Sequence, residues 1–376
     1  MLYKGTILRC FCLFASTLVM TKGRAAVRFV DASNMTPAPP FVTWSGAATN
    51  IQDAVDAANP GDEVVVNDGI YGTGGRAFPG QLTNRVVVNK AIVVKSVNGA
   101  SATSIVGHQV PGSTNGDSAA RCVYIGSNAV LIGFTLSNGG TLTNGLALDS
   151  SGGGVWCEAG AWLKDCIISG NASFLSGGGA YSGNLTNCII VSNRSDLGGG
   201  AILSTLHHCR VLTNIAVNGG GLADGTAHFT SFVGNSVVPP EDTFNVAVGS
   251  GGGVRLCVLD GCRLDYNSAH AGGGALGGRA SNCVFMGNSA VFFGGGTLST
   301  ELHYCTIVAN QALRWGSGGA HLGSETKAAR NCIVYYNTAP SAPDLLGDML
   351  YCCTSTLWGI AMGCITNEPA FVDVSG

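Results

Sequence analysis

One marker recurs along this chain at a nearly constant interval. Asparagine stands at Asn171, Asn193, Asn214, Asn235, Asn267, Asn288, Asn310 and Asn337, in steps of 22, 21, 21, 32, 21, 22 and 27 residues. Five residues before each lie Cys166, Cys188, Cys209, Thr230, Cys262, Cys283, Cys305 and Cys332. Three before each lie Ile168, Ile190, Val211, Phe232, Leu264, Phe285, Ile307 and Val334, all apolar. Eight before each lie Leu163, Leu185, Leu206, Ala227, Leu259, Ala280, Leu302 and Ala329. A glycine run opens every unit, from 152–154 to 294–296 and then Gly318-Gly319. A period near 21 residues means that one supersecondary unit is repeated and stacked, not that several globular domains follow one another.

The spacing within a unit sets its geometry. Cys and the apolar residue are two apart, so they share one face of a strand. The residues between them vary freely (Ile167, Arg210, Ser231, Arg263, Thr306) and face out. Leu and Cys are three apart, which breaks the alternation and marks a corner. The Asn ends the strand at a second corner, and glycine gives the backbone freedom for a third. Three short strands then make one turn of a triangular coil. Coils stacked about 4.8 Å apart superpose equivalent residues in columns. The expected fold is all-β, a single right-handed parallel β-helix solenoid with a short N-terminal capping helix. Composition agrees: 57 glycines and 11% charged residues, with 46% hydrophobic, suit tight turns and a buried core, not helices. The Asn column reads as structural, its inward amides bonding turn backbone and one another. The Cys column reads as buried free thiols chosen for size, leaving Cys157, Cys257, Cys352, Cys353 and Cys364 as better disulfide candidates.

The chain divides accordingly. Residues 1–25 read as a signal peptide: Lys4 and Arg9, an apolar stretch from Cys10 to Met20, then Gly23-Arg24-Ala25. Without them the balance is 15 Lys and Arg against 22 Asp and Glu, a net of −7. A mildly acidic chain with no basic cluster argues against nucleic acid and anionic membrane surfaces as partners. No later segment is long and apolar enough to span a bilayer. Residues 26–40 read as a linker, and 41–150 as a cap with first irregular coils, including an amphipathic helix at 51–58. The regular coils fill 151–338, and 339–376 reads as further coils that are cut short.

Residues 51–71 (IQDAVDAANPGDEVVVNDGIY) resemble the N-terminal cap and first coil of the pectin-lyase-like β-helix superfamily. The glycine runs and the apolar-x-x-Asn element resemble the repeats of chlamydial polymorphic outer membrane proteins. The resemblance implies fold more than activity, since the superfamily holds polysaccharide lyases, glycoside hydrolases and adhesin passengers. The Asn-Thr-Asp, Asp-Asp and Gly-His-Gly motifs of its polygalacturonase-like members are missing from this sequence. Glycoside hydrolysis needs two carboxylates across one bond, and the only adjacent acidic pair in 152–338 is Glu241-Asp242. Gly72-Thr-Gly-Gly-Arg-Ala77 reads as a turn, not a dinucleotide loop. No metal or cofactor is expected.

Two features stand out. The insertion at 236–250 carries Glu241 and Asp242, and long loops on rigid scaffolds tend to hold function. The corner between Leu and Cys runs Lys164-Asp165, Thr186-Asn187, His207-His208, His228-Phe229, Asp260-Gly261, Ser281-Asn282, His303-Tyr304 and Arg330-Asn331. Stacked, it makes a polar, partly aromatic strip with His207, His208 and His228 clustered. The expected function is that of a secreted or cell-surface scaffold that binds by contact, adhesin-like or glycan-binding, with a polysaccharide or surface glycan as partner. His207, His208, His228, His303, Tyr304, Glu241 and Asp242 are the candidate binding residues. The alternative is a polysaccharide lyase or glycoside hydrolase with its site near the 236–250 loop or the His corner.

Overall fold

A computed structural model describes residues 25–238, 249–323, 327–357 and 359–371. The coil around Asn214 shows the path of every unit. Ala201–Ile202 runs in sheet 3, Thr205–His207 in sheet 1, Arg210–Leu212 in sheet 2 and Ile215–Asn218 in sheet 4. Each strand pairs parallel and in register with its counterparts one coil before and one coil after. Repetition builds stacks of 14, 12, 12 and 6 strands for sheets 1, 2, 3 and 4 among the described residues. The chain is an all-β, right-handed parallel β-helix. The coil has a fourth short side, where the sequence reading gave three. Residues after the Asn stay extended and pair from Arg194–Leu197 onward.

A single left-handed residue turns the chain at most corners. In the Asn214 coil these are Leu203, His208, Thr213 and Gly219, with φ of 52°, 53°, 50° and 64°. A residue with a Cβ resists this conformation by roughly 1–2 kcal/mol. The stacking compensates, because each corner N–H still reaches a carbonyl of the next coil, as His208 does to His228 at 3.1 Å. At the corner between sheets 4 and 3 the glycine run is required by space as well. A Cβ on Gly199 would lie 2.3 Å from the Ile215 carbonyl oxygen, and one on Gly200 would lie 2.5 Å from that of Gly221.

The interior is filled by the columns. The Leu/Ala column on sheet 1 and the Ile/Val/Leu/Phe column on sheet 2 are buried throughout. In two coils their sizes compensate: where sheet 1 offers Ala227 and Ala280, sheet 2 offers Phe232 and Phe285. A close-packed core demands such volume matching.

The eight asparagines are buried and bonded in one direction. Asn193 donates from its backbone N–H (2.9 Å) and from Nδ2 (3.0 Å) to Asn214 Oδ1, and its second amide proton reaches the Ile168 carbonyl at 2.9 Å. Every donor and acceptor of the amide is used. The row starts where Gly139 N–H meets Asn171 Oδ1 and ends on buried Asp344, whose Oδ1 accepts from Asn337 at 3.0 Å. A carboxylate fits only at that terminus, because it has no proton to pass on.

All 13 cysteines among the described residues are free. The disulfide expectation for Cys157, Cys257, Cys352, Cys353 and Cys364 is therefore corrected. Cys352 and Cys364 continue the Cys column, with Cys352 N–H 3.3 Å from Cys364 Sγ; shorter last coils lacking the Asn marker hid this register. Column thiols do more than fill space. Each follows a left-handed corner residue and points Sγ at the carbonyl two residues back, as Cys209 does to His207 at 3.4 Å. Thr230 makes the same bond to His228 at 3.0 Å, which explains its place in the column. Cys257 does likewise at the corner between sheets 3 and 1, as do Ser204 two coils before it and Thr300 two coils after it. Burial pushes the thiols of Cys122 and Cys257 up to about 12, so they stay protonated.

The N-terminal end is closed by α1, Ile51–Ala57, which starts on the Asn50 cap and buries Ile51, Ala54 and Val55. Lys90 Nζ ties its other end by donating to the carbonyls of Val55, Asp56 and Ala58. Val27–Val30, inside the stretch read as a linker, is the first strand of sheet 1 and pairs with Glu63–Val66. Residues 1–24, and with them most of the expected signal peptide, lie outside the described residues. No helix among the described residues is long and apolar enough to cross a membrane.

Candidate functional site

The edge where sheet 1 turns into sheet 2 carries the candidate side chains. Alternation on sheet 1 sends Leu206 inward and His207 outward. The left-handed corner then projects the next residue: Asp165, Asn187, His208, Phe229, Asn282, Tyr304, Asn331 and Tyr351 in successive coils, with Gly261 between Phe229 and Asn282. Strand pairing superposes these positions, so their order in sequence is their order along the edge.

The His cluster forms, but as two parallel stacks. The rings of His207 and His228 stack at 4.8 Å with 8° between planes. His208 stacks instead on Phe229, at 5.3 Å and 11°, one position further out. Partial burial first, then His228 and His208, hold His207 below its ordinary 6.5. Phe229 and Tyr304 are 59% and 63% exposed. Amides brace the edge between coils: Asn282 Nδ2 donates to Asp260 Oδ1 at 2.9 Å, and Asn187 Nδ2 to Asp165 Oδ1.

Behind the projecting residues the edge is hollow. A cavity of about 380 Å³ lies between Asp165, Asn187 and His208 on one side and Ile167, Ile189 and Arg210 of sheet 2 on the other. A second, about 230 Å³, repeats it between Asn331 and Tyr351 and the pair Ile333 and Cys353. Both lie on one line along the solenoid, with Cys column residues as their floor. A larger cleft of about 530 Å³ sits between α1 and the first coils. Its long polar side chains are committed internally: Arg76 pairs with Asp56, Arg85 bonds the carbonyls of Val106 and Gly74, and Gln52 brackets the backbone of Val87.

His303 and Tyr304 lie on the same edge, three coils beyond His228. Here the structure adds residues the sequence reading did not single out. Glu301 is outward on sheet 1, with Oε1 3.0 Å from His303 Nε2 and 3.5 Å from Arg330 Nη1. The His303 bond, with the nearby cations, holds the Glu301 carboxyl below its usual range. The available signal was alternation, since Glu301 stands two before His303 on the same outward face. Glu241 and Asp242 lie outside the described residues. The anchors of their loop, Val237 and Ser250, belong to sheet 4 and the corner after it, across the section from the His edge. Among the described residues no group of three or more His, Cys, Asp or Glu is placed to hold a metal.

These features define a parallel β-helix with an ordered polar edge. No protein-family model matches the chain, and no curated protein matches it. Among solved structures it is similar to pectate lyase Pel9A (12% identity, TM-score 0.43, 80% of this chain and 78% of that one). It is also similar to the A-module of the Azotobacter vinelandii mannuronan C-5 epimerase AlgE6 (10% identity, TM-score 0.45, 84% and 93%). A third is the tailspike protein gp49 from Acinetobacter baumannii bacteriophage Fri1, a capsular polysaccharide depolymerase (10%, 0.36, 92% and 62%).

Proposed function

We propose that this protein is an exported, surface-acting scaffold that holds an extended glycan along the edge between sheets 1 and 2. The observation that carries the reading is the row itself. Eight projecting polar or aromatic side chains, interrupted once at Gly261, stand in register over nine coils, with a hollow beside them at two places. Such a row offers a polymer of pyranose units one contact after another, with hydroxyls meeting Asp, Asn and His, and ring faces meeting Phe229, Tyr304 and Tyr351. Rigid presentation limits the entropy lost on binding. A second reading is favoured by one cluster: Glu301, His303 and Arg330 place a carboxylate, an imidazole and a fixed cation together, which is material for acid–base work on a polysaccharide.

One experiment separates them. The protein is offered acidic and neutral polysaccharides, scoring retention, reducing ends and ultraviolet absorbance of unsaturated product. Retention without either product signal is expected, weakened by His208→Ala with Tyr304→Ala. Turnover abolished by Glu301→Gln would replace the scaffold reading with the enzymatic one.

A further inference from the structure

Across the section from the His edge, sheet 4 widens. The strand Ser289–Phe293 pairs with Ser268–Ala271 through a register shift that sets Phe293 opposite Ala271. The next coil keeps the extra width: the N–H groups of Leu313, Arg314 and Trp315 donate to the carbonyls of Ala290, Val291 and Phe292 at 3.0, 3.0 and 3.2 Å. A bulge re-aims side chains, and here it brings rings together. His270 meets Phe292 edge-on at 5.7 Å, and Phe292 stacks on Trp315 at 5.3 Å and 18°. Phe293 lies against both Trp315 (6.1 Å) and His321 (5.3 Å).

The stack is closed below and open above. Phe292 is only 4% exposed, whereas Trp315 is 53% exposed. Both ring partners of Trp315 belong to the preceding coil. The following coil passes this level as Thr338-Ala339-Pro340-Ser341-Ala342, without an aromatic side chain. The Arg314 guanidinium lies 5.7 Å over Phe292, and among the described residues it joins no ion pair.

We propose that Trp315 and Arg314 form a saccharide subsite for a uronic acid unit, separate from the edge between sheets 1 and 2. A supported indole with a free face suits the C–H face of a pyranose, and a guanidinium at its rim suits a carboxylate through paired N–H donors. A neutral sugar uses only the ring, and a small anion only the arginine, so the pair selects a unit that carries both. The site stands on residues that the edge reading does not use.

The test is calorimetry of the full chain with trigalacturonate, with its methyl ester, and with a neutral xylotriose. Wild type is expected to bind the acid about tenfold more tightly than either neutral probe. Trp315→Ala abolishes binding and Trp315→Phe retains most of it, while Arg314→Gln brings the acid down to the level of its ester. The series is repeated in a His208→Ala, Tyr304→Ala background, so that binding lost there with Trp315→Ala is assigned to this site and not to the edge between sheets 1 and 2. Trp315→Ala is compared with Trp315→Phe at equal thermal stability, so that loss of fold is not scored as loss of binding. No binding of trigalacturonate, equal affinity for acid and ester, or an unaffected Trp315→Ala protein overturns the proposal.

Discussion

Asn214 shows how much one side chain can hold in a repeating fold. Its Oδ1 takes two protons from Asn193, and its Nδ2 serves both the Ile190 carbonyl and Asn235 Oδ1. Replacing it by Ala leaves two donors of Asn193 unpaired in a dry interior. Asn214→Ala is expected to lower stability by about 2–4 kcal/mol, read as a shift of the denaturant midpoint. Asn214→Asp should be worse, because the carboxylate has no proton for Ile190; at Asp344, where only acceptors are called for, the same group fits. His207 gives a pH dependence. Its folded-state value is lowered, chiefly by burial, so over the interval below about 6.5 the unfolded chain binds more protons than the folded one. Acidification therefore favours unfolding. The melting temperature is expected to fall between about pH 7.5 and about pH 5, and to fall less in His207→Gln. A His207→Gln protein with the same pH response as wild type would remove this role.

At the scale of strands and corners, packing is shared between sheets within a coil. Ala280 and Phe285 illustrate it. Ala280→Leu alone is expected to overpack the core, at about 1–3 kcal/mol, and Phe285→Val alone to leave a void costing about 2–4 kcal/mol. The double variant should recover most of both, giving a coupling of about 2 kcal/mol in a double-mutant cycle by chemical denaturation; simple additivity would mean that the two columns do not share volume. The same scale explains what the sequence made legible. Columns spaced by two and three residues gave the strands and the corner holding His207 and His208, because alternation and its breaks are written in residue type. Sheet 4 was missed, since after the Asn only one small inward residue per coil (Ser195, Ala216, Ala269) marks it. The separate stacking of His208 and the Glu301–His303 pair depend on which neighbour a ring or carboxylate turns toward, and no one-dimensional spacing carries that. Cys352 and Cys364 escaped because coil length changes after Asn337.

For the molecule as a whole, stacking converts sequence order into linear order along an edge. A β-helix with contacts only between neighbouring coils is a ruler, and whatever projects from one corner is presented at regular spacing. The edge between sheets 1 and 2 presents His, Phe, Asn, Asp and Tyr above a recurrent hollow, and the widened part of sheet 4 presents Trp315 on the other side. The most direct test of the central claim is hydroxyl-radical footprinting of the protein with a retained polysaccharide bound. Protection of His207, His208, Phe229, Tyr304 and Tyr351 together, with the polymer recovered intact, is the predicted result. Protection that leaves this edge untouched, or recovery of a shortened polymer, would contradict it.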